Sequence, residues 1–199
     1  MRNEYVTIFV PHDAVFNEVN IRSSSGRVII ESLDCVNLTL NVSSGRIEVD
    51  NLRAAAASIR STSGSVTVSN AVVESGLEVR VSSGGITINN SSADYFELRT
   101  TSGRVTVSGI VSNGLSAESS SGRIYLQGIL NGENNVRASS GRINIDVDGA
   151  ESDFNINAHT SSGNVRINGQ RGVGVVNNNA GNSISARTAS GGVNINFSR

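Results

Sequence analysis

Arginine is the residue type that most strongly suggests chemistry in this 199-residue chain, because it recurs at two fixed distances from a repeated Ser-Gly pair. One set stands four residues before the glycine and comprises Arg22, Arg60, Arg80, Arg99, Arg137 and Arg187. The other set stands directly after the glycine and comprises Arg27, Arg46, Arg104, Arg123 and Arg142. Guanidinium groups bind carboxylate and phosphate oxygens through two parallel hydrogen bonds. We therefore predict a basic stripe that contacts an anionic polymer, a membrane surface or a protein partner.

Charge compensation is the competing interpretation of these arginines. Glu78 and Glu97 precede Arg80 and Arg99 by two residues, so they lie on the same face of a strand and can neutralise them. The formal net charge of the chain is −1, which gives no overall attraction to nucleic acid. Nucleic acid is therefore not an expected partner.

Other candidate sites for chemistry are sparse. Asp146, Asp148 and Asp153 could supply oxygen ligands in a loop that loosely resembles a calcium turn, but they lack the EF-hand spacing, and a solvated acidic loop is the simpler interpretation. His12 and His159 are far apart along the repeat, and no nucleophile elbow, phosphate-binding glycine loop or zinc-spaced set is present. We expect no enzymatic activity, no cofactor and no resident metal.

Cys35 is the single cysteine, which excludes an internal disulfide and predicts a buried thiol. The opening segment lacks the pattern of a signal peptide, and no run of about eighteen apolar residues predicts a membrane span.

The elements that position these side chains follow from the repeat itself. The Ser-Gly mark places glycine at nine corners: Gly26, Gly45, Gly64, Gly84, Gly103, Gly122, Gly141, Gly163 and Gly191. Two residues after each glycine stand Val28, Ile47, Val66, Ile86, Val105, Ile124, Ile143, Val165 and Val193, and four residues after it the set is equally apolar. A period of two indicates strands with one buried face.

Two such short strands joined by a corner cannot bury that face alone, whereas stacked coils form continuous apolar ladders and pair every backbone rung. The sequence therefore predicts an all-β, single-stranded parallel β-helix, or β-solenoid, of about nine coils with roughly nineteen residues each. We expect one domain over 1–199, with a partial coil or cap over 1–18, regular coils over 19–168, and an irregular loop and the last coil over 169–199. In this scheme the chain loops out before Ile184 to Phe197 close the last coil.

The serine directly before each corner glycine has a structural explanation. If its hydroxyl points inward, it must be paired, so we expect a serine ladder that is hydrogen-bonded along the stack or to the corner backbone.

The pattern apolar-x-apolar-x-Ser-Ser-Gly-x-Val/Ile-x-Val/Ile, preceded by VPHDAVF at Val10–Phe16, resembles a bacterial adhesin-like domain of unknown function. That domain occurs in cell-envelope stress proteins of the Lia type, and the resemblance runs from about Tyr5 to Phe197. It implies a β-helical fold and a membrane-associated or surface setting. It brings no functional residues.

These observations predict a non-enzymatic interaction or scaffold domain of a bacterial cell-envelope protein. The alternative is a self-assembling structural solenoid whose coils continue end to end through open sheet edges.

Overall fold

A computed structural model describes residues 6–11, 13–172 and 174–199, and within them the chain is all-β. Sixteen strands form one sheet system, and a short 3-10 helix spans Glu151–Asp153. The strands are β1 (Val15–Ile30), β2 (Leu33–Asp50), β3 (Leu52–Ser63), β4 (Val66–Ser69), β5 (Val72–Ser83), β6 (Ile86–Asn89), β7 (Ser92–Ser102), β8 (Val105–Ser121), β9 (Ile124–Ser140), β10 (Ile143–Val147), β11 (Phe154–Ser162), β12 (Val165–Ile167), β13 (Gln170–Arg171), β14 (Val175–Val176), β15 (Asn182–Ser190) and β16 (Val193–Phe197). A membrane-crossing helix would need more length and apolar character than any helix in these ranges has.

The strands stack in parallel and in register, which confirms the predicted β-solenoid. Gly26 lies beside Gly45, and Ile47 lies beside Val66, one repeat apart. About seven turns follow one another in sequence order, with roughly nineteen residues in each. The predicted interior rows are continuous, and the side chains of Ile47, Val105 and Ile124 are fully buried. Val28 is only half-buried because it belongs to the first coil.

The corners explain why glycine recurs. Gly84 has φ of +138°, and a Cβ at this position would lie 1.8 Å from the carbonyl oxygen of Gly64 in the preceding coil. A second corner follows six residues later and also needs a positive φ, which Asn70 and Asn90 adopt at 52° and 46°. Asparagine tolerates this conformation better than most residues with a side chain. The Ser-Gly repeat does not predict this second corner.

The expected inward serine ladder is wrong in its position. The serine before each corner glycine is exposed, and the inward hydroxyl stands three residues before the glycine instead. Thr100 and Ser119 donate to the carbonyl oxygens of Gly84 and Gly103 at 3.0 and 3.1 Å. Strict alternation would turn the residue directly before the glycine inward as well, but the alternation ends at the corner and this residue is exposed. The bonds to the corner backbone therefore come from the inward row three residues before the glycine.

The end of the stack differs from the predicted order. Strand β15 lies between β9 and β11, and β16 lies between β10 and β12, all in parallel. The segment from Ile184 to Phe197 is the last coil in sequence order, but it forms the penultimate rung of the stack. The interval of twenty-two residues between Gly141 and Gly163 contains the 3-10 helix. These extra residues let the chain pass over one rung position, which β15 and β16 then occupy.

The two ends of the solenoid are finished differently. At the far end, β14 pairs antiparallel with Ile156 and Asn157 of β11, and β13 pairs antiparallel with Arg166 and Ile167 of β12, so part of each strand of the outermost rung is covered. At the near end, no strand among the described residues pairs with the outer side of β1. Val6 and Ile8, which were expected in a partial coil or cap, are 88% and 77% exposed and do not cover this edge.

Candidate functional site

A groove runs along the whole solenoid on the side that precedes the corner glycines. Its volume is about 1140 Å³, and it extends from Arg22 and Ser24 in the first coil to His159 and Ser161 in the outermost one. Two outward rows line it: long side chains four residues before the glycine, and short Ser or Thr side chains two residues before it. Because an inward residue separates the rows, both face solvent on every rung. Long side chains beside short ones produce a trough with hydroxyl groups along its floor.

The arginines along this groove are bridged by glutamates. Glu78 Oε1 lies 3.1 Å from Arg60 Nη2 and 2.6 Å from Arg80 Nε. Glu97 Oε1 lies 3.0 Å from Arg80 Nη2 and 3.1 Å from Arg99 Nε. The hydrogen bond to Glu97 raises the pKa of Arg80, although burial opposes it.

Glu118 continues this ladder by one rung. It contacts Arg99 at 3.4 Å and Arg137 at 3.9 Å. Four arginines and three glutamates thus form one zigzag over the middle of the groove. In this part of the surface, glutamates neutralise the positive charge of the arginines.

A separate pair of arginines compensates Glu48 near the first coils. Arg27 Nη2 donates a hydrogen bond to this carboxylate, and Arg46 Nη1 lies 3.6 Å from it. The hydrogen bond from Arg27 lowers the pKa of Glu48, and the positive charges of both arginines act in the same direction against a smaller opposing effect of burial.

Three arginines beyond the corner form a different arrangement, which we call the arginine cluster: Arg104, Arg123 and Arg142. They occupy consecutive rungs, because Val105 N donates to Arg123 O and Ile124 N donates to Arg142 O, each at 3.0 Å. All three are exposed. Within the described ranges, none of them has a carboxylate within 4 Å.

Like charges on adjacent rungs, about 4.8 Å apart, repel each other by about 1 kcal/mol even in water. An anion placed between such guanidinium groups replaces repulsion with attraction. Gly85 and Gly192 occupy the same position on the rungs below and above, so the cluster is bounded by residues without side chains. The arrangement is therefore a compact cationic patch with open space at both ends.

Polar side chains flank the arginine cluster two residues further along each strand. Thr106, Tyr125 and Asn144 lie side by side there in register. Burial raises the pKa of Tyr125, and its hydrogen bond to Asp146 acts in the same direction. The phenol is therefore protonated at neutral pH.

The predicted single basic stripe is thus two separate rows with different surroundings. Of the eleven arginines in the predicted stripe, Arg27, Arg46, Arg60, Arg80, Arg99 and Arg137 contact glutamates. Among the described residues no carboxylate lies within 4 Å of the other five, which are Arg22, Arg104, Arg123, Arg142 and Arg187. Insertion of β15 also places Arg187 directly beside Arg137, an adjacency that sequence order does not show.

The acidic candidates do not come together. Asp146 accepts a hydrogen bond from Asn196 Nδ2 at 2.8 Å, and Asp148 accepts one from Gln127 Nε2 at 2.9 Å. Asp153 lies in the 3-10 helix. In the part of the chain that the structure describes, no three His, Cys, Asp or Glu side chains are placed to hold a metal ion. His12 lies outside the described residues.

Comparison with known proteins identifies a family. The model of the family described as Toastrack DUF4097 matches residues 1–196, nearly the whole chain. No curated protein and no solved structure matches the chain. The family match supports the part of the resemblance that concerns a β-solenoid domain of unknown function. The adhesin-like role and the link to Lia-type stress proteins stay predictions.

Proposed function

The chain belongs to the Toastrack DUF4097 family, and we propose that it is a non-enzymatic scaffold that binds a phosphate-bearing polymer or lipid headgroup through the arginine cluster. The observation that carries the proposal is the placement of Arg104, Arg123 and Arg142 on consecutive rungs with no carboxylate within 4 Å among the described residues. A cell-envelope setting agrees with such ligands and is part of the proposal.

The rigid stack suits this task because it fixes the spacing of the charged groups. Backbone hydrogen bonds hold the three arginine positions one rung apart, so only the side chains lose freedom when a ligand binds. A chain of phosphates or a layer of headgroups can engage several guanidinium groups at once, each through two parallel hydrogen bonds. Multiple weak contacts on one rigid face then add up to useful affinity.

A non-enzymatic role is supported by the way in which the surface repeats. The groove presents the same two kinds of side chain rung after rung, whereas catalysis requires unlike groups gathered at one point. The corner serines are exposed in the same repeating manner. A repeated surface favours binding of an extended partner.

Two triple variants with equal net charge test the proposal. Arg104→Gln, Arg123→Gln and Arg142→Gln together remove the cluster, while Arg60→Gln, Arg80→Gln and Arg99→Gln together remove arginines that glutamates already engage. Binding is measured at low salt to linear polyphosphate and to vesicles of phosphatidylglycerol in phosphatidylcholine.

At about 1 kcal/mol for each basic side chain near an anionic surface, loss of the cluster weakens binding roughly a hundredfold. The control triple should weaken binding far less, because its guanidinium groups are shared with carboxylates. Comparing binding to polyphosphate with binding to vesicles shows whether the chain prefers a phosphate polymer or a lipid headgroup. Equal losses in both triples, or no binding by the unsubstituted chain to either probe, would refute the proposal.

A further inference from the structure

The near end of the solenoid presents an open edge that the far end lacks. Strand β1 uses one side to pair with β2, and no strand in the described ranges pairs with its other side. Unpaired backbone groups along a strand of sixteen residues form a template for another strand. At the far end, β13 and β14 occupy the equivalent positions.

The inward side chains of β1 are not covered by a further coil. Phe16, Val19, Ile21, Val28 and Ile30 belong to the inward rows and pack on the core, but they are only partly buried. The corner at Gly26 shows the same incompleteness.

At the other stacked corners a Cβ would strike the carbonyl of the preceding corner, as at Gly45, where the distance is 1.7 Å. At Gly26 a Cβ would meet nothing within 4 Å. The first coil therefore has the shape of a rung on which another rung can stack.

The charges on β1 indicate which partner fits. Glu18 and Arg22 stand two residues on either side of Asn20 and face outward, and neither has an oppositely charged partner within 4 Å among the described residues. In an antiparallel pair of two β1 strands centred on Asn20, Glu18 of each copy lies opposite Arg22 of the other.

The same register keeps the apolar side chains inside. Val19 of one copy lies opposite Ile21 of the other, and both belong to the inward row. One register thus pairs unlike charges outside and apolar side chains inside.

From these features we propose that the open edge binds a second copy of this chain, forming a two-fold dimer through antiparallel β1 strands. Such an interface is self-complementary, so one surface serves both subunits. Because this interface uses the same edge of both copies, the association closes at two, and β13 and β14 block part of the opposite edge. The end-to-end filament that the sequence suggested would require two open ends.

Charge reversal tests the register directly. Glu18→Arg places arginine opposite arginine in the dimer, and Arg22→Glu places glutamate opposite glutamate. Each single variant should dimerise roughly ten- to thirtyfold more weakly than the unsubstituted chain, since two attractive pairs become repulsive. An equimolar mixture of the two variants should recover dimerisation, because every opposing pair is then of unlike charge.

Sedimentation velocity over a concentration series measures these species, and far-UV circular dichroism checks that the variants are folded. A reversible dimer for the unsubstituted chain, weakened in each variant and restored in the mixture, supports the proposal. A persistent monomer, growth beyond two copies, or a mixture that behaves like the separate variants overturns it.

A cross-link provides a second test that does not depend on charge. Asn20 lies on the two-fold axis, so Asn20→Cys should form a symmetric disulfide dimer under mild oxidation, because directly opposed antiparallel residues meet the required Cα separation. Cys35 is buried and leaves the reaction to the new thiol. Gln170→Cys on the covered end is the matched control and should remain monomeric. Equal cross-linking of both variants, or none in Asn20→Cys, contradicts the proposed interface.

Discussion

Replacing one corner glycine by alanine separates two reasons for its presence. Gly84 has a positive φ, and a Cβ there would lie 1.8 Å from the carbonyl oxygen of Gly64. Gly26 also has a positive φ, of 105°, but no atom lies within 4 Å of its Cβ position. Gly26→Ala therefore tests the backbone conformation alone, whereas Gly84→Ala tests the conformation and the close approach of the coils.

The magnitudes differ enough to measure. The unfavourable φ costs about 1 kcal/mol at either position. At Gly84 a carbon and an oxygen need a separation of about 3.3 Å, so the coils must move apart locally by about 1.5 Å. The hydrogen bond that Gly64 N donates to Ser83 O across this contact is 2.8 Å long, and such a shift breaks it. Leaving this half-buried donor without its acceptor adds about 1–2 kcal/mol, giving a total of up to about 3 kcal/mol for Gly84→Ala.

Thermal unfolding followed by far-UV circular dichroism at low protein concentration measures the difference. For a chain of this size, 1 kcal/mol corresponds to a change in Tm of about 2–4 °C. We expect a decrease of about 10 °C for Gly84→Ala and of about 3 °C for Gly26→Ala. Equal decreases in the two variants would show that coil contact does not determine the need for glycine, and the reasoning about the corners would be refuted.

Three further predictions concern single side chains. Glu48→Gln should lower the free energy of unfolding at neutral pH by at most about 1 kcal/mol, because Arg27 loses a partially exposed partner. Since the folded-state pKa of Glu48 is lowered, this difference should vanish as the pH falls through the acidic range of glutamate, and urea unfolding at several pH values would contradict this if the difference grew instead. Burial raises the pKa of Cys35, so a thiol reagent should label it only on unfolding, and rapid labelling of the folded chain would be inconsistent with the buried position. Thr100→Val should lower stability by about 1 kcal/mol through loss of its hydrogen bond to Gly84, and an unchanged urea midpoint would argue against this role of the inward hydroxyl.

The fold could be predicted from the sequence because one requirement repeats. Each rung must bury two alternating apolar residues after the corner, and a set such as Ile47, Val105 and Ile124 records this directly. The order of the last rungs could not be read in the same way, because the pattern identifies a rung without indicating its neighbours. The only sequence feature that accompanies the changed order is the longer spacing before Gly163 and Gly191, where the 3-10 helix and the covering strands lie.

The candidate site was only partly predictable. Both arginine rows could be placed on outward positions by counting from the corner, but ion pairing depends on which carboxylates reach them across rungs. Glu118 bridges Arg99 and Arg137 from neighbouring rungs, and sequence spacing along a single strand does not show this. The arginine cluster differs from the other arginines only in the absence of nearby carboxylates, which the three-dimensional structure shows and the sequence does not.

Because β15 and β16 are inserted between earlier rungs, the order in which the rungs are synthesised differs from the order in which they stack. A chain leaving the ribosome can stack its first seven turns as they emerge, because each rests on the one made just before it. Strands β11 and β12 emerge next, yet their parallel neighbours are β15 and β16, which follow them in the sequence. The outermost rung therefore waits until β15 and β16 have been translated, and the nascent protein carries an unfilled gap until then.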